Sequence, residues 1–156
     1  MIKLIRVDHR LLHGQVVFSW TKAESIERII VIDNITSKDD FKKMSLKMAK
    51  PEDIRLNVFG VDAAIAKLYQ IKALKANTML IFGNVTELYQ FMQDFGKVSE
   101  INYGGIPERP GAKRYSNAIY LTDEEVEMTK KLCDMGITIS MQQVPTARKE
   151  VLNEKL

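Results

Sequence analysis

The chain has 156 residues, 46% of them hydrophobic and 28% charged, with a formal net charge of +3. That length and balance fit one soluble globular domain, residues 1–156, large enough to bury its own core. The positive excess is small and scattered, so it specifies no nucleic-acid partner, and the single cysteine, Cys133, excludes an internal disulfide.

In chain order, Ile2 to Val7 reads as a short apolar strand. The opening M-I-K-L-I-R has no h-region of signal-peptide length, and no apolar run approaches the ~18 residues of a membrane span, so the expected setting is cytoplasmic and reducing. Val16, Val17, Trp20 and Ala23 recur at helical spacing and predict a helix from Gly14 to about Glu24. Ile29 to Ile32 is a β-branched run suited to a strand covered on both faces. A helix from Thr36 to Lys50 follows, with Phe41, Met44 and Met48 on one face and Pro51 as its stop. Ile54 to Phe59 and Thr78 to Phe82 are the next strands, with a helix from Val61 to about Lys75 between them. Asn84 with Glu87 makes a capping box for a helix carrying Val85, Leu88, Tyr89 and Met92 inward. Lys97 to Tyr103 is a fifth strand, and Gly104 to Ser116 a long irregular stretch holding Arg109, Lys113 and Arg114. Asn117 to Leu121 is a short strand, and Thr122 with Glu125 caps a helix to about Met135. Gly136 stops that helix, Ile137 to Met141 is the last strand, and the tail from Thr146 is weakly helical.

This alternation predicts an α/β fold: a doubly wound, mostly parallel open sheet of about six to seven strands with helices on both faces. The carboxyl ends of parallel strands share one edge, where such sheets bind ligands. That edge collects Asp8 to His13, Asp33 and Asn34, Gly83 and Asn84, Asn102 to Gly105, and Gln142 with Gln143.

The first of these loops, V-D-H-R-L-L-H-G-Q-V, holds both histidines of the chain. His13 stands before Gly14 at a helix start, where free amides and the helix dipole favour an anion, and Gly14 lets a phosphate approach the backbone. Arg10 offers a fork for phosphate oxygens, and Asp8 offers a carboxylate to orient a ring or hold the loop. A neutral imidazole is a competent nucleophile near pH 7, so these residues suit a phosphohistidine on His13. Two other readings stay open on the residues alone. The polar loop can be plain helix capping, and His9 with His13, four apart, can belong to a metal site that lacks the glutamate of H-E-x-x-H.

The stretch from Arg6 to Val16, with Trp20 after it, closely resembles the opening of the IIB components of the bacterial phosphoenolpyruvate-dependent sugar phosphotransferase system, mannose/fructose/sorbose family. The likeness extends to V-I-D-N, the N-Y-G-G turn at Asn102 to Gly105, Leu121-Thr122 and Q-Q-V-P. It implies a parallel α/β fold and a protein-N(pi)-phosphohistidine–sugar phosphotransferase. The phosphoryl group comes from a IIA partner, rests on His13 with help from Arg10, and passes to a sugar carried by the membrane IIC and IID subunits. Asp8, Gly14, Gln15, Gly104, Gly105 and Gln142 are then the phosphate- and loop-binding candidates, with no cofactor and no metal expected. The competing function is a regulatory module that keeps the fold and binds phosphorylated partners. Two positions depart from the family pattern: His9, where many members carry aspartate, and Gln142, where many carry an arginine. With Gln142 there, the cations Arg109, Lys113 and Arg114 are candidates to supply that charge.

Overall fold

In the computed structural model, which describes residues 1–156, β1 (Ile2–Asp8) runs through the middle of a seven-stranded sheet. Its companions are β2 (Arg28–Ile32), β3 (Arg55–Phe59), β4 (Thr78–Phe82), β5 (Glu100–Gly105), β8 (Thr138–Met141) and β9 (Glu150–Val151). The order is β3-β2-β4-β1-β5-β8-β9, parallel throughout except for β9, which runs antiparallel to β8. Two short strands, β6 (Lys113–Ser116) and β7 (Ile119–Leu121), form a separate antiparallel hairpin.

Strand periodicity splits the apolar residues into two cores. Ile30, Ile32, Leu80, Phe82, Ile101 and Tyr103 face one side, packed by α4 (Val61–Ala66), α5 (Leu68–Ala73), α6 (Val85–Phe95) and α7 (Asp123–Asp134). Ile29, Val31, Met79 and Ile81 face the other, where α1 (Gly14–Ala23) and α3 (Asp40–Ala49) bring Val17, Trp20 and Leu46. Burying each such large side chain is worth roughly 1.5–3 kcal/mol, so the β-branched runs settle at the sheet centre. Thr122 with Glu125 forms the full capping box read from the sequence, whereas at Asn84 only the forward half forms. The Asn84 side chain accepts from the Glu87 amide at 2.8 Å, and the Glu87 carboxylate turns to the Asn34 amide and Asn84 Nδ2 instead of the Asn84 amide.

Four stretches differ from the sequence-based expectation, each for a local reason. The helix expected over Thr36–Lys50 is two helices, because Asp33 caps α2 (Asn34–Ser37) and Asp39 caps α3 afresh. On α3 only Leu46 is buried, whereas Phe41 and Met48 are each 80% exposed. Phe41→Ser is therefore expected to shift unfolding free energy by less than about 0.5 kcal/mol in urea titration, a change a core phenylalanine would far exceed. The helix expected over Val61–Lys75 breaks at Lys67 into α4 and α5.

The irregular stretch expected over Gly104–Ser116 is irregular only between its ends, over residues 106–112. Gly104 and Gly105 complete β5, Lys113–Ser116 is β6, and the strand expected at Asn117–Leu121 pairs with β6 rather than joining the main sheet. The tail is not helical beyond a single 3-10 turn at Leu152–Lys155. Val151 pairs with Ser140, Leu152 is fully buried, and the Asn153 side chain accepts from the Ile139 amide and donates to the Ile137 carbonyl, which extends the sheet edge with a side chain.

The α1–α3 side is the polar side of β5 and β8. There Glu100, Asn102 and Ser140 alternate with buried Ile101, Tyr103 and Ile139. Parallel strands covered by helices on both faces read as continuous apolar runs, so this alternation marks a face with another task. Residues 142–149 cross it, leaving a groove of about 460 Å³ lined by Trp20, Glu24, Glu100, Asn102 and Lys149, among others. No helix is long and apolar enough to cross a membrane.

Candidate active site

Asp8 ends β1 at the carboxyl edge of the sheet, between β4 and β5. From here the chain leaves to α1 on one face, while β4 leaves to α6 on the other, so a crevice opens between the two connections. It is a cleft of about 570 Å³ lined by His9, Arg10, Leu11, Asp33, Gly83 and Asn84, among others.

The loop from Asp8 to His13 is shaped by its leucines. Leu11 and Leu12 turn into the α1–α3 core, and the Leu11 amide donates to the Asp8 carbonyl at 2.9 Å. Leu11 pays for this turn with a left-handed backbone, φ 58°, a conformation that costs a non-glycine residue about 1 kcal/mol or more. The reward is that His9, Arg10 and His13 are thrown outward, with side chains 42%, 41% and 25% exposed. The His9 amide donates to the Gly105 carbonyl at 2.9 Å and its Nδ1 lies 3.3 Å from the same oxygen, which ties the loop to the end of β5.

Asp8 is fully buried and is the hub. Its Oδ2 accepts from Arg6 Nη2 at 3.0 Å and lies 3.2 Å from His13 Nε2. Its Oδ1 accepts from the Arg10 amide at 3.0 Å and Arg10 Nε at 3.4 Å. Burial pushes this carboxyl up, but the Arg10 amide and the Arg6 and Arg10 guanidiniums pull it further down, so it stays below the usual carboxylate range. An ionised carboxylate only accepts, so it selects the His13 tautomer with hydrogen on Nε2 and leaves the Nδ1 lone pair free.

His13 is the N-cap of α1, and its side chain makes no capping hydrogen bond. The first amides of α1 are therefore available to an anion beside the ring. Gly14 has φ +40°, which favours glycine, and no heavy atom lies within 4 Å of where a Cβ would stand. Arg10 leans on Asp8 through Nε, which leaves its two Nη groups for phosphate oxygens. These groups can hold a transferring phosphoryl group at an imidazole nitrogen and spread its charge over donors.

The remaining candidates from the sequence sort into support and surface. Gly104 serves Arg6: a Cβ there would stand 2.0 Å from the Arg6 Cζ. Gly104→Ala is expected to displace the guanidinium and to lower stability by about 1–3 kcal/mol, seen as a depressed melting temperature; an unchanged melting curve would show that Arg6 moves at no cost. Gly105 lends its carbonyl to His9. The Gln142 side chain does not face the site, because its Nε2 donates to the Pro145 and Ala147 carbonyls, while its own carbonyl accepts from Arg6. Gln15 is exposed on α1 beside Phe18 and Lys22. Among the loop cations, Arg109 is committed to Glu125 and to the Pro107 and Tyr120 carbonyls, and Arg114 to Asn117; Lys113 is exposed on the hairpin.

Two supporting residues had no role assigned from sequence. Arg6, 1% exposed, reaches Asp8, Asn102 and the carbonyls of Gln142 and Gln143, and stacks 5.4 Å over Trp20. Asn102, equally buried, holds Arg6 Nη1 at 2.5 Å and donates to the Gln142 carbonyl. The signal was an arginine inside an apolar strand and an asparagine on an otherwise apolar one.

Comparison with known proteins places this geometry. A sequence model of the family described as PTS system sorbose subfamily IIB component matches residues 2–156. The chain is 32% identical over 146 residues to the mannose-specific EIIAB component of Escherichia coli K12, covering 94% of this chain and 45% of that protein. It is 31% identical over 146 residues to the sorbose-specific EIIB component of Lacticaseibacillus casei, covering 94% and 89%. The chain thus spans about half the length of the mannose-specific relative and most of the sorbose-specific one. Among solved structures, manxB from Thermoanaerobacter tengcongensis superposes with a TM-score of 0.89 at 30% identity, over 97% of this chain and 92% of that one. The IIBSor domain of the Klebsiella pneumoniae sorbose permease superposes with a TM-score of 0.92 over 99% and 95%, and at 24% identity it speaks for the fold.

Proposed function

The chain belongs to the sorbose subfamily of phosphotransferase-system IIB components, and from that premise we propose that it is a phosphocarrier subunit that loads His13 and unloads onto a sugar. One observation carries the assignment of the residue: His13 Nε2 rests on a buried, ionised Asp8 while Nδ1 has no hydrogen-bond partner, beside Arg10 and the open start of α1.

In this reading the Nδ1 lone pair attacks phosphorus on a phosphohistidine of a IIA protein. A new N–P bond forms, the donor's N–P bond breaks, and the donor nitrogen recovers its electron pair. The hydrogen on Nε2 stays where it is, and Asp8 offsets the positive charge the phosphorylated ring acquires. Arg10 and the α1 amides hold the three phosphoryl oxygens, so transfer rests on positioning and charge rather than on a base. The group then passes to a sugar carried by membrane IIC and IID subunits, which places the chain in the cytoplasm and at the membrane only through those partners.

The test is a reconstituted relay of phosphoenolpyruvate, the general phosphotransferases and a cognate IIA. Acid-labile, base-stable label on this chain is the expected result. No label, with a IIA shown to load another IIB, overturns the carrier reading in favour of the regulatory one.

A further inference from the structure

The support beneath Asp8 does not stop at Arg6. It continues across the polar side of β5 and β8 as one unbroken line of hydrogen bonds. Arg6 Nη1 donates to Asn102 Oδ1 at 2.5 Å, and Asn102 Nδ2 donates to Ser140 Oγ at 3.4 Å. Ser140 Oγ donates to Glu100 Oε2 at 3.0 Å, and Lys149 Nζ pairs with the same carboxylate oxygen at 3.1 Å. At its other end Arg6 Nη2 reaches Asp8 Oδ2, the oxygen that faces His13 Nε2. A line of fixed dipoles and charges therefore runs from the open groove to the reacting ring.

We propose that Arg6, held by Asn102, is a positioning residue that keeps Asp8 as the acceptor of the Nε2 hydrogen and so directs chemistry to Nδ1 of His13. The proposal rests on the carrier function above and names what sets its geometry. Four observations bear on it. Arg6 is nine-tenths or more buried and too far inside the strand to touch a substrate. It makes contacts from four directions, to Asn102, Asp8 and the Gln142 and Gln143 carbonyls, which a planar five-donor fork can satisfy together and an ammonium cannot. The backbone makes room for it at Gly104, where any side chain would collide with it. And the polar alternation of β5 and β8 buries Asn102 and Ser140 on a sheet face where apolar side chains would otherwise pack, a cost that this line explains.

The same oxygen of Asp8 serves Arg6 and His13, so releasing Arg6 lets the carboxylate rotate away from Nε2. The ring then samples both tautomers, the fraction with hydrogen on Nδ1 cannot attack, and the remainder is no longer held in register by Asp8. Displacements of about 1 Å at a reacting group cost on the order of 10²-fold in rate.

The experiment uses a His9→Gln background, in which His13 is the only histidine, with and without Arg6→Lys or Asn102→Leu. Long-range ¹H–¹⁵N correlation of the imidazole reads the tautomer without any partner protein, and loading by phospho-IIA gives kcat and KM separately. Expected are a single Nε2–H tautomer in the background and mixed tautomers in both variants. The kcat for loading should fall between about tenfold and 10²-fold, with KM for IIA within about twofold. Should Asn102→Leu fail to fold, Arg6→Lys keeps the buried charge and carries both readouts. A folded variant whose tautomer stays pure Nε2–H overturns the proposal, whatever its rate. A pure Nε2–H tautomer in the background, mixed in the variants, with no loading in any of them, supports the positioning role and overturns the carrier function instead.

Discussion

His13→Ala is expected to remove all acid-labile, base-stable label from the chain in the reconstituted relay, a fall of at least about 10⁴-fold, as befits loss of a nucleophile. His9→Ala should keep loading within about tenfold. The contrast follows from where the two rings point. His13 sits at the N-cap of α1, one nitrogen on Asp8 and the other unpartnered. The His9 ring instead lies against the Gly105 carbonyl, 3.3 Å from Nδ1, and 3.8 Å from Asp8 Oδ1, and it stands four residues before the N-cap of α1. His9 therefore lacks the amides that receive the phosphoryl oxygens, although it shares the same hub. Label that survives His13→Ala would move the site to His9 or to another nucleophile. Loss of label in both variants would mean that His9 holds the loop through β5 so tightly that the site fails without it.

The position of this site was readable from the chain because the signals for it are local. A β-branched strand, two leucines, a histidine and a glycine in direct succession dictate strand, turn and helix start within fifteen residues or so, and parallel topology then fixes which edge they share. Tertiary support was not readable, because it joins residues far apart in sequence. Arg6 and Asn102 are 96 positions apart, and the carbonyls of Gln142 and Gln143 lie further still. The face of α3 was misleading for a physical reason: Phe41, Met44 and Met48 have helical spacing, but spacing alone does not say whether the apolar stripe meets a core. The tail failed similarly, since nothing local announces that Asn153 will complete a strand edge through its amide. Gln142 was placed at the correct edge, but its side chain turns back to close the 142–147 loop, a choice that depends on carbonyls rather than on residue type.

Asp8→Asn is expected to lower stability by about 3–5 kcal/mol at pH 7 and loading by between about 10² and 10⁴-fold. The stability cost comes from Arg6, whose buried guanidinium loses its only carboxylate partner. The rate cost comes from geometry, because every contact of Asp8 is a donor. If the amide NH₂ replaces Oδ2, it meets Arg6 Nη2 and turns His13 toward the Nδ1–H tautomer. If it replaces Oδ1, it meets the Arg10 amide and Nε, and the turn that presents His13 opens. Neither orientation of an asparagine satisfies both sides. Acidity offers a separate check on the charge. The Asp8 carboxyl in the fold lies below its ordinary value, so its contribution is complete above the ordinary carboxylate range and is lost as pH falls through the lower, folded value. The stability gap between wild type and Asp8→Asn should therefore stay level from about pH 7 to pH 5 and close below about pH 4. Urea unfolding of both proteins across that range measures it. A gap that persists undiminished at the acid end would place the stabilisation in the shape of the hub rather than in its ionisation.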